Sequence, residues 1–293
     1  MSHRFCFTDD QGQLWFKEAL TESVGNCFRI DELIYEDSSD HHHIILFENE
    51  THGRVLAMDG LVQVSRSDEF VYHEMVAHVP AFAHGQLKSV AVVGGGDGGA
   101  MRELLRHTGI ETITLIEIDK DVVDFSRKWL PEVSNGSFDD PRVEIVIADG
   151  VEYMKTTDKR FDLIIIDSSD PVGPSAVLFT PEFYASCKDK LKDNGILVTQ
   201  NGLASIYPDV VRDSSRCFAD LFAHQGFYAI TVPTFSGGIM TLGFATDNAT
   251  AFSPDPAELH ARFQSSGLPM RYYTPDLHVG AFALPADIQA LVA

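Results

Sequence analysis

From Ser89 onward, short apolar runs alternate with helical stretches, and that alternation constrains the fold more than any other feature of the chain. Strand candidates are Val90–Val93, Thr112–Glu117, Val143–Ile147, Phe161–Asp167 and Ile196–Gln200, each aliphatic or β-branched and too short to be a buried helix. Helices are predicted over Ala100–Arg106, Asp121–Trp129 and Pro181–Leu191, the last with Thr180 as cap, Pro181 at its first position and Gly195 just past its end. Buried strands joined by crossover helices make an α/β domain with a doubly wound sheet, whose ligands bind at the carboxyl ends of the strands.

Upstream the pattern differs. Ile44–Phe47, Arg54–Met58 and Leu61–Val64 read as short strands, and Asp59-Gly60 between the last two tolerates the positive φ of a tight hairpin. A small N-terminal antiparallel β-domain results. Ser67 reads as the N-cap of a helix that buries Tyr72, Met75, Val76 and Val79 on one face and is closed by Pro80. The spacing divides the chain into a β-strand domain over 1–70 and an α/β domain over 71–293. Near the end, Phe227–Val232 and Ile239–Ala245 read as a hairpin joined across Gly237-Gly238.

Composition narrows the function classes. With 44% hydrophobic and 22% charged residues the chain is of globular type, neither disordered nor fibrous. Its 43 acidic residues against 22 basic give a net charge of −21, a field that repels nucleic acid and anionic membrane and favours cationic ligands. No run of about 18 apolar residues occurs, and Met1–Asp10 has no basic patch followed by an apolar core, so the expectation is a cytoplasmic protein without a membrane partner. Cys6, Cys27, Cys187 and Cys217 form no CxxC pair, which fits reduced thiols and gives no zinc site.

Three motifs carry the chemistry. Gly94-Gly95-Gly96-Asp97-Gly98-Gly99 follows the first α/β strand and opens a helix, where backbone can approach a ligand closely. Asp97 is its informative member, because a carboxylate there opposes a pyrophosphate and suits an ammonium; capping the helix is its competing role. Glu117, at the end of the second strand, is placed to accept both hydroxyls of a ribose, which makes the ligand a nucleoside. Apolar Ile118 can cover a purine face, and Asp149, before Gly150, can accept from an exocyclic amine or cap the next helix. After the fourth strand comes Asp167-Ser168-Ser169-Asp170-Pro171-Val172-Gly173-Pro174, two acids on a stiff loop. They read as a receptor for protonated amines and a general base, with a Ca²⁺ or Mg²⁺ site as the alternative.

These motifs, together with Asp68–Met75, Pro233-Thr234-Phe235 and Phe282-Ala283-Leu284-Pro285, run in order from about Tyr35 to Pro285 and resemble the polyamine aminopropyltransferases, the spermidine synthases above all. The resemblance implies a Rossmann-like, methyltransferase-type sheet with the small β-domain ahead of it, and a homodimer or homotetramer. It implies transfer of an aminopropyl group from decarboxylated S-adenosylmethionine, a co-substrate, to putrescine, without metal or other cofactor. Asp167 is then the proton acceptor and Tyr72 orients the attacking nitrogen. His73, Asp97 and Asp170 line the amine groove, and Gln63 lies near the aminopropyl chain. Gly94, Gly95, Gly96, Glu117, Ile118, Asp149, Gly150 and Pro174 hold the nucleoside, and Ser168–Leu178 closes as a lid. Two positions depart from the family pattern. His42 stands where glutamine is usual at the donor site, and Phe235 replaces a tyrosine near the acceptor, which keeps cadaverine, agmatine and spermidine open as acceptors. A methyltransferase on the same fold and a non-catalytic polyamine sensor are the other readings; Asp97, repelling the carboxylated donor, argues against the methyltransferase.

Overall fold

The structure, a computed structural model, describes residues 4–170, 173–235 and 238–293, without the side chain of Pro174. The chain forms two compact units, Met1–Glu69 with Val232–Gly238, and Phe70–Thr231 with Ile239–Ala293.

The first unit holds two antiparallel sheets. One contains β1 (Cys6–Thr8), β2 (Leu14–Ala19) and β3 (Gly25–Arg29) in that order, and the other β4 (Glu32–Ser38), β5 (His43–Asn49), β6 (Gly53–Met58) and β7 (Leu61–Ser65). The β6–β7 turn has positive φ at both Asp59 (51°) and Gly60 (85°), as the Asp-Gly pair predicts. Phe16, Phe28, Ile45 and Phe47 form the core, and Phe235 packs against it. The segment Val232–Gly238, which the sequence suggests is a hairpin connection within the α/β domain, thus groups with the first unit. Its anchor is Asp68, whose Oδ2 accepts from the Thr234 amide at 2.7 Å and the Thr234 hydroxyl at 2.6 Å.

In the second unit, helix α1 (Glu69–His84) precedes the sheet strands β8 (Ser89–Gly94), β9 (Thr112–Glu117), β10 (Val143–Ile147), β11 (Phe161–Asp167), β12 (Leu191–Leu203), β13 (His224–Ile230) and β14 (Met240–Thr246). Their order is β10-β9-β8-β11-β12-β14-β13; the first five are parallel, and β14 and β13 add an antiparallel edge. The chain winds outward from β8 on one side and resumes at β11 on the other, so a crevice opens at the carboxyl ends of these two strands.

Two helix boundaries differ from the sequence reading. The first helix starts at Glu69, and the Ser67 hydroxyl meets Ser65 Oγ at 3.0 Å instead of capping it. Pro80 does not close the helix but lies inside it. A proline in a helix interior costs about 3 kcal/mol, and the last turn offsets it: Phe82 is buried and stacked on Tyr273, while Arg262 donates to the Phe82 and Ala83 carbonyls at 2.6 and 2.9 Å. Gly195 falls within β12 rather than past a helix end.

Candidate active site

Helix α2 (Gly99–Leu105) opens directly after the glycine run. Asp167, the last residue of β11, pairs in register with Gly94, and its carbonyl accepts the Gly95 amide at 2.8 Å. Gly94 has φ +79°, and a Cβ there would stand 2.2 Å from the Asp167 carbonyl oxygen. At Gly96 a Cβ would lie 2.9 Å from Glu117 Oε2, and at Gly99 it would lie 2.3 Å from the His73 ring. The glycines are therefore the space into which the site's own acids and imidazole press.

Around this loop four side chains connect. Tyr72 Oη donates to Asp167 Oδ1 at 2.6 Å, and His73 Nε2 lies 3.4 Å from Asp97 Oδ2. Asp97 Oδ1 accepts the Gly99 amide at 2.7 Å, while Gly98 is the N-cap of α2. Burial, joined by the Asp97 charge, pushes Asp167 up to about 6, with His73 and the Tyr72 hydrogen bond limiting the rise. For Asp97 burial acts in the same direction, but His73, the Gly99 amide and Arg102 together hold it below its ordinary value. The two acids are thus shifted in opposite directions, Asp97 toward the anion and Asp167 toward neutrality.

Asp170 is also raised by burial, against hydrogen bonds from Tyr207 and from Gln200 Nε2, the latter at 3.2 Å. Two buried atoms near these acids, Ser168 Oγ and Gln200 Oε1, have no hydrogen-bond partner among the described residues. Glu117 is buried at the end of β9, with Oε1 accepting the Asp119 amide at 3.0 Å, and Ile118 beyond it is exposed. Asp149 Oδ1 caps the helix Gly150–Thr156 through the Val151 amide at 2.7 Å and the Glu152 amide at 3.2 Å. No group of three His, Cys, Asp or Glu side chains is disposed to hold a metal ion among the described residues.

Residues 14–66 match the spermidine synthase tetramerisation domain, and residues 69–254 match the spermine/spermidine synthase domain. The chain belongs to the polyamine aminopropyltransferase family. It is 46% identical over 275 residues to the polyamine aminopropyltransferase of Pectobacterium carotovorum, covering 94% of this chain and 96% of that one. It is 46% identical to the Shigella flexneri polyamine aminopropyltransferase over 276 residues, with the same coverage. Among solved structures, a spermidine synthase in complex with the transition-state analogue AdoDATO superposes with TM-score 0.90 at 36% identity, covering 100% of this chain and 98% of that one. The Thermotoga maritima spermidine synthase gives 0.87 at 35% identity, covering 100% and 97%.

This aminopropyltransferase brings together Tyr72, His73, Asp97 and Asp167 as one connected cluster, with Gly94, Gly95, Gly96 and Glu117 against it. His42, Gln63 and Phe235 belong to the first unit. There His42 Nδ1 meets Asp59 Oδ2 at 2.9 Å, and Gln63 Nε2 donates to the Leu61 carbonyl at 3.2 Å. The Pro174 side chain, and with it part of the Ser168–Leu178 lid, lies outside the described residues. Gln200 and Tyr207 were not singled out from sequence. Gln200 had a signal, since it closes the predicted strand Ile196–Gln200 at the sheet end where ligands bind.

Proposed function

We propose that this aminopropyltransferase is a spermidine synthase: it moves an aminopropyl group from decarboxylated S-adenosylmethionine to putrescine and releases spermidine and 5′-methylthioadenosine. The observation that carries the reading is Asp167, buried, bonded to Tyr72 at 2.6 Å and raised to about 6. An alkylammonium has a pKa of about 10.4 in water, like lysine, and must lose its proton before it can attack. Desolvation in the crevice lowers that value while burial beside Asp97 raises the acceptor's, and the gap narrows from both sides. The nitrogen lone pair forms the new C–N bond at the carbon beside the sulfonium. The C–S bond breaks with its electrons returning to sulfur, and the ammonium proton passes to Asp167. A neutral thioether remains, which a set of carboxylates holds less strongly than the sulfonium. The sulfonium is already an activated leaving group, so the step calls for no metal or cofactor.

Asp97 supports the choice of donor. Its anionic oxygens attract the bare ammonium tail of the decarboxylated donor and repel a tail carrying a carboxylate. Glu117 suits the ribose hydroxyls, and exposed Ile118 suits the purine face. The match of residues 14–66 to a tetramerisation domain supports a dimer or tetramer, which sedimentation equilibrium would measure. The deciding experiment supplies decarboxylated donor with putrescine, cadaverine, agmatine and spermidine in separate reactions and identifies products by mass. Transfer to putrescine is expected. Silence with putrescine beside rapid transfer to a longer amine moves the acceptor, and calorimetry showing tighter binding of the carboxylated donor replaces the reading with methyl transfer.

A further inference from the structure

Helix α1 carries Tyr72 and His73, yet it contains Pro80, which supplies no N–H to the Val76 carbonyl. The half of the helix that bears the site residues is therefore not backed by an unbroken hydrogen-bond ladder, and side chains must fix its height against α2. Two imidazole–carboxylate pairs hold α1, one to the glycine loop before α2 and one to α2 itself. His73–Asp97 is at the site, at 3.4 Å; His78–Glu103 is outside it, at 2.9 Å, with both residues buried.

The second pair has one consistent set of protons. Burial would raise Glu103, but His78, Arg102 and Arg106 outweigh it and hold the carboxyl well below the usual range. As an anion it only accepts, from His78 Nε2, from Arg102 Nε at 2.8 Å and from Arg106 Nη1. Burial and the Arg106 charge lower His78, against the pull of Glu103 and Glu74, which favours the neutral ring. The network then assigns its proton to Nε2, leaving Nδ1 to accept from His107 Nε2 at 2.8 Å. Tyr273 and Phe82 pack on the same ring.

We propose that His78 is a positioning residue for the transfer reaction: its Nε2–H bond to Glu103 sets the height of the first half of α1 on α2, and so fixes where Tyr72 meets Asp167 and His73 meets Asp97. Six residues separate His78 from Tyr72, about 9 Å along a helix, and a rigid segment passes a slip at one end to the other undiminished. A displacement of about 1 Å at reacting groups can cost on the order of 100-fold in rate. The inference rests on the aminopropyl-transfer reading.

The test compares wild type with H78Q, H78N and H78L, using decarboxylated donor and putrescine at saturation across pH 5–9. Glutamine places an amide N–H where imidazole Nε2 was and keeps the bond to Glu103. Asparagine reaches only the Nδ1 position and keeps the contact to His107. H78Q is expected to retain kcat within about threefold, whereas H78N and H78L lose about tenfold or more, with KM for both substrates little changed. The acid limb of the kcat profile should move to higher pH in the two impaired variants. Tyr72 and His73, which restrain Asp167, are loosened there, while burial and Asp97 still push it up. Equal kcat in H78N and wild type with an unmoved limb overturns the proposal, as does a fall in H78Q equal to that in H78N. Should H78L not fold, the glutamine–asparagine comparison decides alone. A wild type that transfers to no amine overturns the functional reading itself, and that is seen before any variant is assayed.

Discussion

In the first unit, the buried carboxylates of Glu18 and Asp68 are met by fixed donors: Glu18 by the Val62 amide at 2.8 Å and the Asn26 side chain at 2.7 Å, Asp68 by the Thr234 amide and hydroxyl. In the second unit, Asp167 and Asp97 meet a phenol and an imidazole, Tyr72 and His73, and they act on each other. Amide and hydroxyl donors carry no charge, so the acids they hold in the first unit serve architecture. An acid held by phenol, imidazole and a like charge has a proton affinity that its neighbours can tune, which is what catalysis needs.

The largest effect that could break this contrast is at Asp167. Replacement by asparagine is expected to lower kcat by about 1,000-fold, within the range for a lost general base, with donor affinity nearly unchanged by calorimetry. The same variant should melt at a higher temperature at pH 7. Asp167 releases its proton at about 6 instead of 3.8, so between those values the folded chain keeps a proton that the unfolded chain gives up, and stability falls as pH rises. Near-full turnover in D167N would remove Asp167 from the mechanism.

A second effect comes from imidazoles. Burial, the first cause in each case, lowers His107 to about 3 and His278 to about 4, and lowers His78 and His84 as well. Unfolded chains bind these protons near the ordinary 6.5, so stability is complete above that value and declines as pH falls below it, by up to about 1.4 kcal/mol per pH unit for each of His107 and His278. Urea midpoints at pH 7 and pH 5 measure it, and an unchanged midpoint would contradict neutral buried rings. Asp68→Ala sharpens the architectural side: it strands the Thr234 amide and should cost about 1–3 kcal/mol of stability by denaturant titration. Smallest is Asp97→Asn, expected to narrow the preference for decarboxylated over carboxylated donor by about tenfold, or about 1.4 kcal/mol; unchanged discrimination would show that Asp97 does not read the donor tail.

Much of the fold is legible in the sequence because parallel strands in a covered sheet read as aliphatic runs: β8, β9 and β11 are largely buried, the half-exposed edge strand β10 keeps an aliphatic pattern, and all four fall where Val90–Val93 through Phe161–Asp167 predict them. Their carboxyl ends then located Asp97, Glu117 and Asp167 without further information. β1 to β4 have no counterpart in the sequence reading, and for β2 the reason is physical: Glu18 sits buried beside Phe16, and a core carboxylate erases the apolar alternation by which a strand is read. Pro80 points in the other direction, since its local penalty is overridden by contacts that Arg262 and Tyr273 make with the last turn from far along the chain. Gln200 and Tyr207 gain meaning only from Asp170, which the fold alone brings to them.

The return of Val232–Gly238 to the β-rich unit carries a consequence for any attempt to divide the polypeptide. Backbone passes from one unit to the other three times, so a single cut after Glu69 separates neither part cleanly. A fragment beginning at Phe70 would carry Thr234 without Asp68, a tether deprived of its mooring, and shuffling either half onto another protein would require two splice points more than a simple fusion allows.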